Sequence, residues 1–314
     1  MTRRPRRAAF GAVATELSLL SDRRLADAVA SATALGSGIG GRAAELEIAG
    51  TPVFAKRVPL TDLELRPEHA RSTANLFGLP LFYQYGIGSS GFGAWRELAA
   101  HTMATHWVLT GACADFPLLY HWRILPDSPP AGFTDVFGGI DGAVAHWEGS
   151  PAVRTRLEAI ARASFSLVLF LEHVPWTLAD WLADHPGAAS SWVGESLLRG
   201  TAFMNSRGLV HFDAHFRNVL TDGRRLYFSD FGLALSSAFD LSPAEAAFHA
   251  RHRVYDPCYV VNHLRRHHLP HTPGPDHPTT ILGTFHRRLL DESKRTPFPA
   301  EEIEKALERH PLSV

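Results

Sequence analysis

Asp213, Asn218 and Asp230, two carboxylates and one carboxamide, stand close together in the stretch His211 to Gly232, which reads HFDAHFRNVLTDGRRLYFSDFG. Asp213 follows His211 by two positions, Asn218 follows Asp213 by five, and Asp230 opens the triplet Asp230-Phe231-Gly232. The hard, anionic oxygens of Asp230 and the neutral amide oxygen of Asn218 both suit Mg²⁺. A carboxylate at Asp213 can act as base or orienter for an attacking hydroxyl. Phosphoryl transfer asks a protein mainly to position groups and neutralise charge, and these residue types do that. Asp230 lies twelve positions after Asn218, with a turn signal at Thr221-Asp222-Gly223 between them. A short hairpin over Val219-Leu220 and Leu226-Tyr227-Phe228 would bring both metal-binding side chains to one place.

The spacing H-x-D-x-x-x-x-N followed by D-F-G resembles the catalytic loop and metal-binding triplet of the protein-kinase-like superfamily. The resemblance implies an α+β, bilobal fold with a β-rich N-lobe, a helical C-lobe and ATP between them. It implies that Asp213 takes the acceptor's hydroxyl proton, while Asn218 and Asp230 hold Mg²⁺ at the nucleotide phosphates. Lys56 ends the run Val53-Phe54-Ala55-Lys56, similar to the family's V-A-I-K strand, and would hold the α- and β-phosphates. Gly36, Gly38 and Gly41 fit G-x-G-x-x-G, which lets backbone N–H groups approach phosphate oxygens. A dinucleotide-type glycine loop leads into a helix, but this one leads into the alternating run Ala44 to Val58, a β-hairpin pattern. The family pairs its lysine with a helical glutamate. Glu97 is the candidate, with Glu64 and Glu68 as rivals closer in sequence. Backbone groups of Glu172 and Val174, in the expected hinge Glu172-His173-Val174-Pro175, would meet the adenine.

On this reading residues 1–35 are an N-terminal tail and helix, 36–175 an N-lobe with an insertion at 59–93, and 176–314 a C-lobe. The expected activity is transfer of the γ-phosphate of ATP to a hydroxyl, with protein Ser/Thr as the first acceptor class. Departures from the pattern open an alternative. Phe212 stands where regulated protein kinases have Arg, His215 stands where serine/threonine kinases have Lys, and no A-P-E follows Gly232 beyond the partial echo Pro243-Ala244-Glu245. His215 in particular resembles aminoglycoside-type and related small-molecule phosphotransferases, so a metabolite or antibiotic acceptor is the second reading. A nucleotide-binding pseudokinase without turnover is the third. Retention of Asp213 argues against it.

The elements that must carry these residues follow from periodicity. Residues 15–30 predict a helix behind a basic, frayed tail, the end of this span being open to a first strand instead, and the alternation around Lys56 predicts a strand. Glu97 falls in a helical stretch, Ala94 to His101. Asp115–Leu125 and Ser166–Leu171 predict strands, with 126–150 a loop or small excursion and 151–163 a helix between them. Thr177-Leu178-Ala179-Asp180 predicts a helix start, with the end near Pro186. A helix over 192–207 would feed the catalytic loop, and helices near 243–255, 280–292 and 299–309 would close the chain around a loop at 265–279.

Composition excludes other classes. At 314 residues the chain can bury one large core or two lobes. A formal net charge of −1 gives no global field for nucleic acid. No apolar run approaches the roughly 20 residues of a membrane helix. Arg6-Arg7 before Ala8-Ala9-Phe10 faintly resembles a twin-arginine signal, but the apolar run stops at Glu16. Two distant cysteines, Cys113 and Cys258, exclude a disulfide framework and favour a reducing cytoplasm. Eighteen histidines raise a metal reading, through His211/His215 and the group His267, His268, His271 and His277. Neither set has the H-E-x-x-H frame or nearby cysteines of a zinc site. The absence of G-x-S-x-G argues against a serine hydrolase.

Overall fold

The computed structural model describes residues 3–38, 41–185, 187, 192–268 and 274–312, and it is a mixed α+β protein. The chain divides into two compact units, Met1–Pro80 with Ser90–His173, and Leu81–Ser89 with Val174–Val314.

The first unit opens with helices α1 (Arg3–Leu19) and α2 (Asp22–Ser31), then strands β1 (Thr33–Gly38), β2 (Gly41–Ile48) and β3 (Thr51–Leu60). A one-turn helix α3 (Asp62–Leu65), the long helix α4 (Ala94–Thr110), β4 (Leu119–Pro126), helices α5 (Ile140–His146) and α6 (Pro151–Ala161), and β5 (Phe165–Glu172) follow. The five strands form one antiparallel sheet in the order β1-β2-β3-β5-β4. The unbroken apolar run Leu167 to Leu171 explains why β5 lies inside the sheet and is buried along its length. Ala94, Trp95 and Leu98 of α4 pack on Val58 and Leu60 of β3 and on Leu167, Leu169 and Leu171 of β5. Burying each large side chain there stabilises by roughly 1.5–3 kcal/mol. That packing ties the helix carrying Glu97 to the strand carrying Lys56.

The second unit holds β6 (Trp176–Thr177), α7 (Leu178–Asp184), α8 (Trp192–Ser206), β7 (Leu209–Val210), β8 (Val219–Thr221), β9 (Leu226–Phe228) and β10 (Leu235–Ser236). Helices α9 (Pro243–Arg251), α10 (Tyr255–His268), α11 (Pro278–Asp291) and α12 (Ala300–Arg309) complete it. Strands pair as β6-β8-β9 and as β10-β7. The helical stripe Val193, Leu197, Thr201 and Met204 buries one face of α8. The tail of the first unit's long excursion, Leu81–Ser89, lies in this second unit.

Several elements differ from expectation. The tail is not frayed: α1 begins at Arg3, and a break at Ser21, which caps α2 through its hydroxyl, replaces one helix over 15–30 with two. Arg6 is 3% exposed because it pairs with Glu172. The stretch 126–150 is not all loop, since Gly139 starts the seven-residue α5. The strand expected from Asp115 begins at Leu119. The segment expected as loop from 265 is helical through His268. Helix α7 ends at Asp184, close to the expected end near Pro186; Pro186 itself, the loop residues Ile39 and Gly40, and His271 lie outside the described residues. Cys113 and Cys258 are free thiols. Among the described residues no helix is long and apolar enough to cross a membrane.

Candidate active site

In the second unit β7 delivers the chain to His211, which is fully buried. Its Nε2–H donates to the Ser229 carbonyl at 2.9 Å, and its Nδ1 accepts the Asp213 N–H at 3.3 Å. Burial outweighs the Ser229 hydrogen bond and nearby Asp230, and pushes the imidazole down to about 4, so it is neutral at pH 7. His211 therefore works as a spacer between the loop and the Asp230 segment, not as a metal ligand.

The loop turns sharply at Phe212, whose φ of 64° is left-handed and unusual for a bulky residue. Asp256 of α10 holds this turn. Its carboxylate accepts the N–H of His211 at 2.5 Å and that of Phe212 at 3.0 Å. Asp256 is completely buried, and burial raises its carboxyl to about 7 against the pull of those two donors. Phe212 then packs among Tyr85, Phe248, His252 and Tyr255.

Asn218 reaches back to Asp213. Its Nδ2 donates to the Asp213 carbonyl at 3.0 Å and to Oδ2 at 3.1 Å, so its amide oxygen faces elsewhere. Val219 pairs with Phe228 across the hairpin, and the Ser229 N–H and hydroxyl both donate to the Asn218 carbonyl, at 2.9 and 2.8 Å. Asn218 and Asp230 therefore stand at the same end of the hairpin. At the other end Asp222 accepts the N–H groups of Arg224 and Arg225, closing the turn. Asp230 adopts φ 59° and caps the single 3₁₀ turn Phe231–Leu233 by accepting the Gly232 N–H. His215 lies between the acids. Its Nε2 is 3.8 Å from Asp213 Oδ2, and Asp230 raises its pKa while burial, the larger effect, lowers it.

The segment Leu81–Ser89 closes on this loop. Gln84 Nε2 donates to the Leu233 carbonyl, and the Tyr85 hydroxyl donates to His252 Nε2 at 2.8 Å. Gly86 backs directly onto Asp213: a Cβ there would stand 2.1 Å from Asp213 Oδ1. Only glycine permits this approach.

In the first unit Lys56 lies on β3 opposite Ala43 and Leu169. Its Nζ is 2.7 Å from Glu97 Oε1, with both side chains buried. The rival Glu64 is committed elsewhere. Its carboxylate accepts the Ala94 N–H at the start of α4, the N–H and hydroxyl of Thr61, and the Arg156 guanidinium at 2.8 Å. Burial would raise the Glu64 pKa, but Arg156 and these hydrogen bonds together hold it below the ordinary carboxylate range. Glu64 thereby caps the helix that carries Glu97, whose N-cap residue Gly93 has no side chain to do so. Glu68 is exposed.

Gly36, Gly38 and Gly41 lie on the β1–β2 hairpin, Gly36 at a register shift and Gly38 opposite Gly41. Gly41 is required by packing, because a Cβ there would stand within 2.3 Å of the Arg57 carbonyl. Glu172 is the last residue of β5; its N–H donates to the Leu118 carbonyl at 2.8 Å. Its carboxylate is gripped by Arg6 from α1, Nε to Oε1 at 2.7 Å and Nη2 to Oε2 at 2.5 Å. Part of the backbone capacity assigned to adenine at Glu172 is thus taken. Val174 is half-buried and opens the 174–314 portion of the second unit.

Sequence reasoning missed Asp256, Arg6, Gly86 and the Glu64–Arg156 pair. For Glu64 a signal existed, since Thr61-Asp62-Leu63-Glu64 is a capping box. Among the described residues there is no group of three or more His, Cys, Asp or Glu that could hold a metal ion. No protein-family model and no curated protein sequence matches the chain.

Proposed function

We propose that this chain is an ATP- and Mg²⁺-dependent phosphotransferase with a bilobal, protein-kinase-like fold, acting on a hydroxyl group. The observation that carries the reading is that Asp213, Asn218 and Asp230 are held together by one loop and one hairpin, while Lys56 separately forms a buried ion pair with Glu97. The donor set fits the ion: an amide oxygen and a carboxylate at one end of a hairpin are hard ligands of the kind Mg²⁺ takes alongside phosphate oxygens. Bound there, Mg²⁺ would supply neutralising charge to the phosphates. Asp213, fixed by the Asn218 amide, would orient the acceptor hydroxyl and receive its proton. Lys56, held by Glu97, would present an ammonium to the nucleotide phosphates.

On the acceptor, one observation favours a small molecule over a protein. The stretch after Gly232 is short: it makes β10 and reaches α9 at Pro243. The Pro243-Ala244-Glu245 echo is a helix start, with Glu245 reciprocally capping Ser242. Little chain remains there to form a peptide-docking segment.

The test is turnover of labelled ATP against a panel of metabolites and generic protein acceptors. Asp213→Ala is expected to keep nucleotide affinity and lower turnover at least ~10²-fold. Asp230→Ala is expected to abolish the Mg²⁺-dependent thermal shift given by ATP. Wild-type turnover in Asp213→Ala would refute the assignment.

A further inference from the structure

A cleft of about 420 Å³ opens in the second unit, and Asp213, Asn218 and Asp230 are not among the residues that line it. That volume is within the range of small-molecule sites. Its walls come from the Leu81–Ser89 segment, from α9 and from the turn after α11. Two features give it chemical character. The first is aromatic: Phe248 stacks on His252 at 3.8 Å and His252 on Phe298 at 4.2 Å, each pair within 22° of parallel. Tyr85 and Phe82 add two further rings.

The second is charge. Arg251, Lys294 and Arg295 line the cleft, and among the described residues no carboxylate does. Lys294 is partly committed, donating to the Leu289 carbonyl at 2.7 Å, and the Arg295 guanidinium lies over the Phe82 ring at 5.2 Å. Arg251, the exposed last residue of α9, has no ion-pair partner among the described residues. His252 adds no charge: its Nδ1 donates to the Phe248 carbonyl, its Nε2 accepts from Tyr85, and burial keeps it neutral.

We propose that this cleft is a binding site for an aromatic monocarboxylate, whose ring lies against the Phe248/His252/Phe298 stack and whose carboxylate meets Arg251 and Arg295. An apolar ligand alone would leave Arg251 unanswered, and a small inorganic anion would leave the rings uncovered. A flat body with one negative end satisfies both. Phe248 also stacks on Phe212 at 5.7 Å, so a ligand seated on it touches the packing beside Asp213. The site stands independently of the phosphotransferase reading, because its test needs no turnover.

The probe is 2-naphthoate, titrated calorimetrically into the full chain, with 2-naphthylmethanol as its neutral counterpart and decanoate as a non-aromatic carboxylate. Saturable binding of 2-naphthoate is expected with Kd on the order of 1 mM or tighter, given its size. The alcohol should bind at least ~10-fold more weakly, as should Arg251→Ala with 2-naphthoate, the loss typical of a charge-assisted contact. Ala247→Trp, at another exposed lining position, should block the cleft outright. Melting curves check that both variants are folded. No saturation by about 10 mM, ten times the expected Kd, overturns the proposal. So does equal affinity for the alcohol, an unaffected Arg251→Ala, or tighter binding of decanoate than of 2-naphthoate.

Discussion

Replacing Asp256 by Asn should change how the stability of this protein depends on pH, in a direction opposite to ordinary acid denaturation. The carboxyl is completely buried, and its pKa is raised from an ordinary 3.8 to about 7, chiefly by desolvation. An acid held above its unfolded pKa binds its proton more tightly in the fold. Its contribution to stability is therefore full below about pH 3.8 and is lost as pH rises through about 7. From pH 5 to pH 8 about two pH units fall inside that window, which at 1.36 kcal/mol per unit amounts to roughly 2–3 kcal/mol. Asn cannot titrate. Its oxygen can accept one of the two N–H groups that Asp256 holds, and its own NH₂ meets the other, a pH-independent penalty of about 1–3 kcal/mol. The buried histidines act the other way: His211, held near 4, makes the fold more stable as pH rises from 4 towards 6.5. Asp256 is not among the groups that shift His211, so the histidines cancel in the difference between wild type and variant. Urea unfolding of both proteins at pH 5, 6, 7 and 8 should show the wild-type advantage shrinking by about 2–3 kcal/mol with m unchanged. A difference constant to about 0.5 kcal/mol across that range would mean the carboxylate is already ionised at pH 5, and the argument from burial would fail.

Two further substitutions probe the supports of the site. Gly86→Ala places a methyl 2.1 Å from Asp213 Oδ1, so one of the two must retreat by about 1 Å; if the chain has the proposed phosphotransferase activity, turnover should fall on the order of 10²-fold with nucleotide affinity kept, and unchanged turnover would show that the segment does not press on Asp213 in solution. Glu64→Gln strands the buried Arg156 charge and should destabilise the protein by about 3–5 kcal/mol in urea unfolding, whereas a loss under about 1 kcal/mol would mean that Arg156 finds water or another partner.

The grouping of Asp213, Asn218 and Asp230 was legible in the sequence because their relations are short-range. Asp213, Asn218 and Asp230 lie within 18 positions, and the hairpin that joins them is announced by its own turn residues. The alternation from Ala44 to Val58 likewise announced β2 and β3. What holds these pieces in place was not legible, because it acts across long separations. Asp256 grips His211 from 45 positions away, and Arg6 grips Glu172 from 166. An arginine-rich tail reads as solvated until Arg6, Val13 and Leu17 are seen to be buried on one helix. Helix α5 within 126–150 was not legible for a different reason: it is only seven residues, too short for periodicity to register, and contains Gly142.

The partner of Lys56 shows how a local rule can settle a distant question. On spacing alone Glu64, Glu68 and Glu97 compete for its ammonium, and Glu64 is the eighth residue after it. Yet Thr61 and Glu64 satisfy the capping-box pattern, and a carboxylate turned back to cap its own helix cannot also reach across a sheet. In the fold Glu64 goes further, accepting the first N–H of α4 and the Arg156 guanidinium with the same two oxygens. Commitment of Glu64 therefore does two things at once. It removes the nearest rival, and it anchors the helix whose first turn presents Glu97 to Lys56. The ion pair at Lys56 is thus as much a consequence of Thr61 as of Glu97, and loosening the cap should loosen the pair without touching either of its members.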